Sequence, residues 1–217
     1  MPSRRSKHAL PREAEQIAAI ILAAGPRKTL PFPKPLTPFG KTLAIDRAVQ
    51  NCLNAKGYGP TVVVLGSDAE QVLTSWKRPR GVQVLINTRW RQGQLSSLRA
   101  ALRRTPRNAA FLIYPVDYPL ISPGLLARLR WAYVHRSPHQ QIVAPSIGRR
   151  DGHPILVAPS LRAEFARART ARDVVHHPDR QSRNLHVPVH DSAIFRDFDS
   201  PSTYRLCVRM LRARHRA

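Results

Sequence analysis

Short runs of consecutive apolar residues alternate along the chain with segments in which apolar residues recur every three or four positions. The runs lie in IAAIILA, PTVVVLG, GVQVLIN and NAAFLIYPVDYPL, and each predicts a strand. The first two are typical of strands buried on both faces, and the last run ends in a turn. The segments between and after them have helical spacing, at residues 42–55, 67–76, 93–105 and 122–136. Strands that alternate with helices predict a mostly parallel sheet with helices on both faces.

After residue 136 the pattern becomes richer in strands. QQIVAPSI and HPILVAP flank the turn GRRDG, and NLHVPVHD alternates in the manner of a half-buried strand. SPSTYRLCVRMLRARHR is typical of a helix with a Ser-Pro start. We therefore predict a basic disordered arm at residues 1–15, one α/β domain over residues 16–206, and a basic helix end or tail over residues 207–217.

The composition narrows the class of partner. The chain has 217 residues and a formal net charge of +23, which favours anionic partners such as nucleotides and phosphorylated compounds. Arginine predominates among the cations, and this bias together with solubility explains the excess better than a nucleic-acid surface does. No apolar run approaches the ~20 residues of a membrane helix, and the first residues lack the apolar core of a secretory signal. We expect a cytoplasmic protein with no membrane partner.

The two cysteines, Cys52 and Cys207, are far apart in the sequence. Two such residues form neither a disulfide framework nor a thiolate metal cluster. We expect both thiols to be buried and unreactive.

The first apolar run ends in a small-residue, basic loop, LAAGPRKTLPFPKPL. In parallel sheets, ligands bind beyond the carboxyl ends of the strands, and small residues let backbone N–H groups approach a phosphate. The loop matches neither the G-x-x-x-x-G-K-[ST] nor the G-x-G-x-x-G pattern. It predicts a phosphate site, with an ordinary strand-to-helix connection as the alternative. The candidate residues are Leu22, Ala23, Ala24, Gly25, Arg27, Lys28 and Lys34.

This loop resembles the signature L-A-[AG]-G-x-S-x-R-M-G-x-P-K of the MobA-like nucleotidyltransferases, the family similar to molybdenum cofactor cytidylyl- and guanylyltransferases. Gly25 matches the glycine and Lys34 the final lysine. The resemblance implies a three-layer α/β/α, Rossmann-like fold of the nucleotide-diphospho-sugar transferase (GT-A-like) type, with a mostly parallel sheet.

The loop also departs from the signature. Thr29 stands at the position of the signature arginine, and Pro31 stands at that of the following glycine. Two alternatives follow: either Arg27 or Lys28 substitutes for the arginine, or triphosphate binding is weakened.

A second segment, NTRWRQGQLSSLRAAL, resembles the family's N-x-x-W-x-x-G-x-x-S-S-L. The resemblance adds Asn87, Gly93, Ser96 and Ser97 to the nucleotide-binding candidates. A helix N-terminus with hydroxyl groups suits a phosphate, although plain N-capping explains either serine equally well.

Two aspartates are candidate metal ligands. Asp117, in YPVDYPL, resembles the family's D-x-P motif, and Asp199, in IFRDFDSPSTY, resembles its second acidic motif with Asp197 as an outer residue. A carboxylate at a strand end is suited to a Mg²⁺ ion that bridges phosphates. The alternatives are an Asx turn at Asp117 and a helix cap at Asp199 or Ser200.

The turn GRRDGHP resembles the G-R-R-G-H-P motif of the cytidylyltransferase branch, with Asp151 inserted. The resemblance implies that Gly152, His153 and Pro154 contact the second substrate, and a structural histidine is the alternative.

Other histidines raise the hypothesis of a transition-metal site: His176, His177, His186 and His190, together with Asp191. We expect His186 and His190 to lie on one face of a strand. No H-x-x-x-H helix pairing or cysteine partner favours this site.

The resemblance implies a Mg²⁺-dependent nucleotidyltransferase, in which Lys34, Asp117 and Asp199 are the catalytic residues. CTP is the expected donor because the loop has LAAG where the guanylyl branch usually has LAGG. The expected acceptor is the molybdopterin cofactor, which would bring contact with a molybdoenzyme or its maturation factor. Alternatives are another phosphorylated acceptor such as a sugar phosphate, a non-catalytic nucleotide-binding member, and nucleic-acid association through the basic arms.

Overall fold

The computed structural model describes residues 16–176 and 182–214, so the predicted arm at residues 1–15 lies outside the described residues. The described strands are β1 (Ile17–Ala23), β2 (Pro38–Phe39), β3 (Thr42–Leu43), β4 (Thr61–Leu65), β5 (Val82–Ile86), β6 (Ala110–Pro115), β7 (Ile142–Ile147), β8 (Arg150–Asp151), β9 (Ile155–Val157) and β10 (Asn184–Pro188). The described α-helices are α1 (Ala44–Asn54), α2 (Ala69–Ser75), α3 (Gln94–Leu102), α4 (Pro123–Val134), α5 (Arg162–Arg167), α6 (Ala171–Val175) and α7 (Pro201–Arg214).

The main sheet has the strand order β10-β7-β9-β6-β1-β4-β5, and β8 pairs with the end of β7. β1 is parallel to both β4 and β6, β4 is parallel to β5, and β10 is parallel to β7. β9 is antiparallel to β6 and to β7, so β7 and β10 run in the same direction as β6. The predicted mostly parallel sheet is confirmed.

Helices cover both faces of this sheet. One face packs against α1, α2, α4 and α7, through side chains such as Val49, Leu129 and Cys207. The other face packs against α3, α5 and α6, through side chains such as Leu98 and Phe165. The predicted three-layer α/β/α architecture is confirmed, and burial from both sides explains why β1 is apolar at every position.

Several short elements lie between the predicted ones. The β2–β3 hairpin, α5, α6 and a 3₁₀ turn over Lys34–Leu36 are too short to show a periodic pattern in the sequence. At the other end of the chain, α7 continues across residue 206, and Cys207 and Leu211 are buried against the core. The described part of the domain therefore extends to Arg214.

No helix among the described residues combines the length and apolarity needed to cross a lipid bilayer.

The loops that follow β1 and β6 open at the point where the strand order reverses. The chain passes from β1 to β4 on one side, and it returns to β6 on the other side of β1. Ligands of doubly wound sheets bind in the crevice outside the carboxyl ends of the strands at such a point. Ala24 directly follows β1 and Asp117 lies two residues after the end of β6, so both lie in this crevice.

Asn51 of α1 holds the segment that follows β6. Its buried side-chain amide donates a hydrogen bond to the carbonyl of Ile121 at 2.6 Å, and a longer one to the Tyr114 hydroxyl at 3.3 Å. Because a buried carbonyl without a partner costs about 1–3 kcal/mol, this amide stabilises the turn that carries Asp117.

We expect the Asn51→Ala substitution to lower the free energy of unfolding by about 1–3 kcal/mol, measured by urea denaturation. Gln50→Ala, an exposed neighbour on the same helix, is the matched control and should change the value by less than about 0.5 kcal/mol. Equal effects of the two substitutions would show that the buried amide does not support this turn.

Candidate active site

Lys34 lies at the centre of a cluster of charges, and it is only 8% exposed. Its Nζ donates to Asp117 Oδ2 at 2.8 Å and also contacts Asp199 Oδ1. Lys28 Nζ donates to Asp199 Oδ2 at 2.5 Å. The structure thus brings together the three residues predicted to be catalytic, from the loop after β1, the turn after β6 and the segment before α7.

Packing of aromatic side chains places Asp199 beside Asp117. Phe198 is fully buried, its ring packs edge to face on Phe39 with centroids 5.0 Å apart, and its N–H donates to the carbonyl of Asp117 at 3.1 Å. Ser200 Oγ accepts the N–H of Thr203 at 3.3 Å and so caps α7. Between the two alternatives for a cap, Ser200 fills that role and the Asp199 carboxylate faces the lysines.

A cavity of about 470 Å³ opens beside this cluster, at the carboxyl ends of β1 and β6. Its lining residues are Leu22, Ala23, Ala24, Gly25, Pro26, Lys28, Lys34, Trp90, Gly93, Gln94, Ser97, Pro115, Val116, Asp117 and Asp199. A Cβ atom at Gly25 would meet nothing within 4 Å, so the space beside this residue of the loop is open. Three of the predicted nucleotide-binding residues, Arg27, Asn87 and Ser96, are absent from the lining.

The two candidates to replace the signature arginine point to different places. Arg27 Nε lies 3.7 Å from Asp68 Oδ1, at the start of α2 and away from the cavity lining. Lys28 lines the cavity, and its φ of 52° puts it in the left-handed region that few residues other than glycine adopt. This turn of the backbone separates the two neighbouring side chains, and Lys28 is the one whose ammonium reaches Asp199.

The Asn87 side chain makes its hydrogen bonds within its own segment of the chain. Its Nδ2 donates to Ser96 Oγ at 2.8 Å and to Ser97 Oγ at 3.0 Å, and its Oδ1 accepts the N–H of Arg89 at 3.0 Å. Neither serine hydroxyl accepts a cap hydrogen bond, because the N-cap position of α3 belongs to Gly93. The buried amide therefore orders the start of α3, while Ser97 and Gly93 line the cavity.

Trp90 and Gln94 line the cavity but were missing from the sequence-based candidates. Gly66 permits this arrangement, because a Cβ atom there would lie 2.7 Å from both Ala24 Cβ and Trp90 Cβ. The tryptophan in the NTRWRQG segment was the one feature of the sequence that could have indicated Trp90 as a cavity residue. Its position depends on Gly66, which is distant in the sequence and matches no motif.

Three acidic or basic groups of the cluster have shifted pKa values. Burial lowers the pKa of Lys34, but the charges and hydrogen bonds of Asp117 and Asp199 outweigh it and hold this pKa above 10.5. Burial raises the pKa of Asp199, but hydrogen bonds from Lys28 and Lys34 outweigh it and hold the pKa below 3.8. The pKa of Asp197 is raised above 3.8, first by burial and then by the negative charges of Asp117 and Asp199.

His153 lies at the edge of this cluster, where its ring packs against that of Tyr118 with centroids 5.0 Å apart. Burial lowers the pKa of His153, and its buried Nδ1 has no hydrogen-bond partner among the described residues. Gly152 is tightly enclosed, because a Cβ atom there would lie 2.5 Å from the carbonyl oxygen of Ile194. The Gly-His-Pro turn is therefore fixed in place with an imidazole nitrogen left unpaired.

The remaining histidines do not form a metal site in the described residues. β10 ends at Pro188, so the prediction that His186 and His190 share a strand face is wrong, because His190 lies beyond the strand. His186 Nδ1 instead lies 2.7 Å from Asp151 Oδ1. Within residues 16–176 and 182–214, no group of three or more His, Cys, Asp or Glu side chains is arranged to hold a metal ion. His177 lies outside these ranges.

Residues 19–184 match the family model of the MobA-like NTP transferase domain. The chain belongs to this family. Membership confirms the resemblance inferred from the loop and makes the protein a nucleotidyltransferase. No curated protein sequence matches the chain.

Solved structures show the same fold. Rv0371c from Mycobacterium tuberculosis H37Rv is 24% identical over 91% of this chain and 99% of its own, with a TM-score of 0.77. A structure of Rv0371c in complex with manganese is 23% identical over 91% of this chain and 100% of its own, with a TM-score of 0.71. The 4-diphosphocytidyl-2C-methyl-D-erythritol synthase from Anaerococcus prevotii DSM 20548 is 12% identical over 94% of this chain and 97% of its own, with a TM-score of 0.70.

Molybdopterin-guanine dinucleotide biosynthesis protein A from Archaeoglobus fulgidus is 15% identical over 89% of this chain and 97% of its own, with a TM-score of 0.63. At these identities the similarity shows the fold, and it confirms the predicted Rossmann-like, GT-A-like architecture.

The opposite pKa shifts of the two neighbouring aspartates predict opposite effects of the same substitution. The pKa of Asp199 is lowered, so its charge stabilises the fold above pH 3.8 and this stability is lost as pH falls through the lowered pKa. The pKa of Asp197 is raised, so its ionisation destabilises the fold as pH rises through the raised pKa. At about pH 7 in EDTA, we expect Asp199→Asn to lower the urea midpoint and Asp197→Asn to raise it.

Both differences should shrink when the measurement is repeated at about pH 3, because the carboxyl groups are then increasingly protonated. Shifts of the same sign for the two variants at pH 7 would contradict the assigned electrostatics.

Proposed function

We propose that the protein transfers a nucleoside monophosphate from a nucleoside triphosphate, with CTP favoured, to a phosphorylated acceptor in a Mg²⁺-dependent reaction that releases pyrophosphate. The observation that carries this proposal is the convergence of Lys34, Asp117 and Asp199 beside a cavity at the reversal point of the sheet. The family resemblance favours molybdopterin as the acceptor, with contact to a molybdoenzyme or its maturation factor. Sugar and polyol phosphates are the competing acceptors.

The carboxylates of the site fit a magnesium ion. Asp117 and Asp199 offer hard oxygen ligands, and Mg²⁺ is commonly held by one or two carboxylates together with substrate phosphates and water. Burial, and then the negative charges of Asp117 and Asp199, raise the pKa of Asp197, and a divalent cation would offset those charges. A bound Mg²⁺ would neutralise the phosphate charge. The structure of Rv0371c in complex with manganese supports the use of a divalent ion.

The residues around the cavity supply positioning and fixed charge. The small residues at 23–25 let the triphosphate approach the backbone of the loop, and Trp90 offers an aromatic surface to the nucleotide. Lys34 supplies an ammonium group that is held in place by its burial and its two partners, so little reorganisation is needed when charge develops. No general base is required, because a phosphate nucleophile is already anionic.

Lys28 takes the part of the missing signature arginine. It lines the cavity, carries a positive charge and contacts the same carboxylate as Lys34 does. Arg27 pairs with Asp68 outside the cavity, so its guanidinium lies away from the triphosphate. The cation at the loop is therefore displaced by one residue from the signature position, from Thr29 to Lys28.

The proposal that CTP is the donor rests on the LAAG sequence of the loop and on the fold. One structural neighbour is named as a diphosphocytidyl-methylerythritol synthase, and that name supports a cytidylyl donor and admits a polyol phosphate as acceptor. A panel of triphosphates tested by thermal shift with Mg²⁺ would separate the donors, because a tightly bound ligand stabilises the folded state.

We expect Lys28→Ala to weaken the binding of Mg²⁺-CTP by about tenfold or more, because a charge-assisted hydrogen bond contributes about 1.5–3 kcal/mol. Arg27→Ala removes an equal charge from the adjacent residue, and it should change the dissociation constant by less than about threefold. Isothermal titration calorimetry measures both. A larger loss in Arg27→Ala than in Lys28→Ala would assign the role to Arg27.

The activity itself is tested by the release of pyrophosphate from CTP with a panel of phosphorylated acceptors and Mg²⁺. We expect EDTA to abolish the release and Asp117→Ala to lower its rate by about 100-fold or more, since charge stabilisation at the phosphates carries the reaction. Asp68→Ala removes a carboxylate outside the cavity and should keep nearly full activity. Tight binding of CTP without pyrophosphate release from any acceptor would show a non-catalytic member of the family.

A further inference from the structure

A second cavity, of about 730 Å³, lies between the turn that joins β7 to β8 and the edge strand β10. Apart from one glycine, its lining residues are Arg149, Arg150, Asp151, His176, Asn184 and His186. All six side chains are polar or charged. This cavity includes part of the GRRDGHP turn, and it is separate in its lining from the cavity at Lys34.

The second cavity is close to the first. β7 runs in the same direction as β6, so the turn after β7 opens at the edge of the sheet where Asp117 lies. His153 follows Arg150 and Asp151 in the same turn, and its ring packs against that of Tyr118, the residue after Asp117. The contact of these two rings, with centroids 5.0 Å apart, is the boundary between the turn that lines the second cavity and the turn that carries Asp117.

Arg150 lies at this boundary. Its guanidinium is over the ring of Phe195 at 4.3 Å, and its charge acts on the pKa of Tyr118, which burial raises. Phe195 also belongs to the short segment that leads to Asp199. A phosphate bound by Arg150 would therefore be held on the side of the second cavity that faces the catalytic cluster.

The rest of the lining offers groups that pair with hydroxyls. The Asp151 carboxylate lies 2.7 Å from His186 Nδ1, so its negative charge has a partner. Asn184 donates through Nδ2 to the carbonyl of Val175 at 3.3 Å, while its buried Oδ1 has no hydrogen-bond partner among the described residues. This amide fixes β10 to the end of α6 beside the cavity, whereas the half-exposed imidazole of His186 is open to a hydroxylated ligand.

We propose that this cavity binds the acceptor, and that the acceptor is a phosphorylated polyol or open-chain sugar rather than a flat heteroaromatic compound. This inference rests on the proposed function and narrows its acceptor. Guanidinium groups bind phosphate through paired hydrogen bonds, and a carboxylate, an amide and imidazoles together bind hydroxyls. A flat ring system is usually covered by aliphatic or large aromatic side chains, and the described lining has neither, since its only aromatic groups are the imidazoles of His176 and His186.

The reaction then balances without a proton transfer by the protein. An oxygen of the acceptor phosphate attacks the α-phosphorus of the nucleotide and forms a new P–O–P link. The bond from that phosphorus to the oxygen bridging to the β-phosphate breaks, and pyrophosphate leaves with the electron pair. Asp151, which is inserted relative to the family motif, acts in this scheme as a specificity residue that binds the hydroxylated part of the acceptor.

The test measures binding of the acceptor separately from binding of the nucleotide. The full-length protein is titrated calorimetrically with glycerol 3-phosphate, erythritol 4-phosphate and ribitol 5-phosphate, and with inorganic phosphate, free ribitol and 6-hydroxymethylpterin monophosphate. We expect at least one polyol phosphate to bind about tenfold or more tightly than inorganic phosphate, free ribitol and the pterin compound. In the presence of Mg²⁺-CTP, the same compound should cause release of pyrophosphate.

Variants then place the ligand in the second cavity. Arg150→Gln and Asp151→Asn should each weaken binding of the polyol phosphate about tenfold, and this loss should exceed any loss of CTP affinity in the same variant. Arg205→Gln, an exposed arginine of α7 outside both cavities, is the control for charge and should leave binding and activity unchanged. If Asp151→Asn fails to fold because its contact with His186 is altered, His186→Gln tests the same contact.

The outcomes separate this inference from the function on which it rests. If CTP binds and pyrophosphate is released only with the pterin compound, or no polyol phosphate binds, the inference is overturned and the proposed function stands. Binding of polyol phosphates that is unchanged in all the cavity variants also overturns it. If polyol phosphates bind as expected but no triphosphate does, the proposed function fails, and the assignment of this cavity to an acceptor fails with it.

Discussion

The burial of one ammonium group organises the site of this protein. A lysine that is 8% exposed requires counter-charges, because an unpaired charge in such a position would be costly. Lys34 finds these charges in Asp117 and Asp199, which are 83 and 165 positions away in the sequence. The loop after β1, the turn after β6 and the segment before α7 are therefore tied to one another, and together with the start of α3 they line the cavity proposed to hold the nucleotide.

The same cluster explains why a strongly basic chain keeps carboxylates at this point. Only 13 of its 217 residues are acidic, and three of them, Asp117, Asp197 and Asp199, act electrostatically on one another here. The two lysines balance Asp117 and Asp199, while burial, and then the negative charges of its neighbours, raise the pKa of Asp197. A divalent cation bound to these carboxylates would add positive charge to the site, and that charge would attract a polyphosphate.

The sequence was informative where burial or strand order decides the structure. β1 is apolar throughout because it is covered on both faces, and the meeting of Lys34 with Asp117 follows from parallel strands that end at the same edge. The sequence did not in the same way predict the local backbone conformation or the hydrogen-bond partners of single side chains. The left-handed backbone at Lys28 decides which cation enters the cavity, and the Asn87 amide is used to order Ser96 and Ser97. Both outcomes depend on contacts whose partners the motifs do not specify.

The two cavities differ in how freely evolution can change them. The cavity proposed for the nucleotide is lined by the ends of β1 and β6, at the centre of the sheet, and by the start of α3. A shift of these strands would disturb the buried layers on both faces. The second cavity is built from the β7–β8 turn and β10, at the edge of the sheet. An insertion such as Asp151 is accommodated there because the turn faces solvent on one side, and it changes the chemistry of the lining without moving Lys34. A fold arranged in this way can keep one reaction at its centre while its periphery adapts to different acceptors.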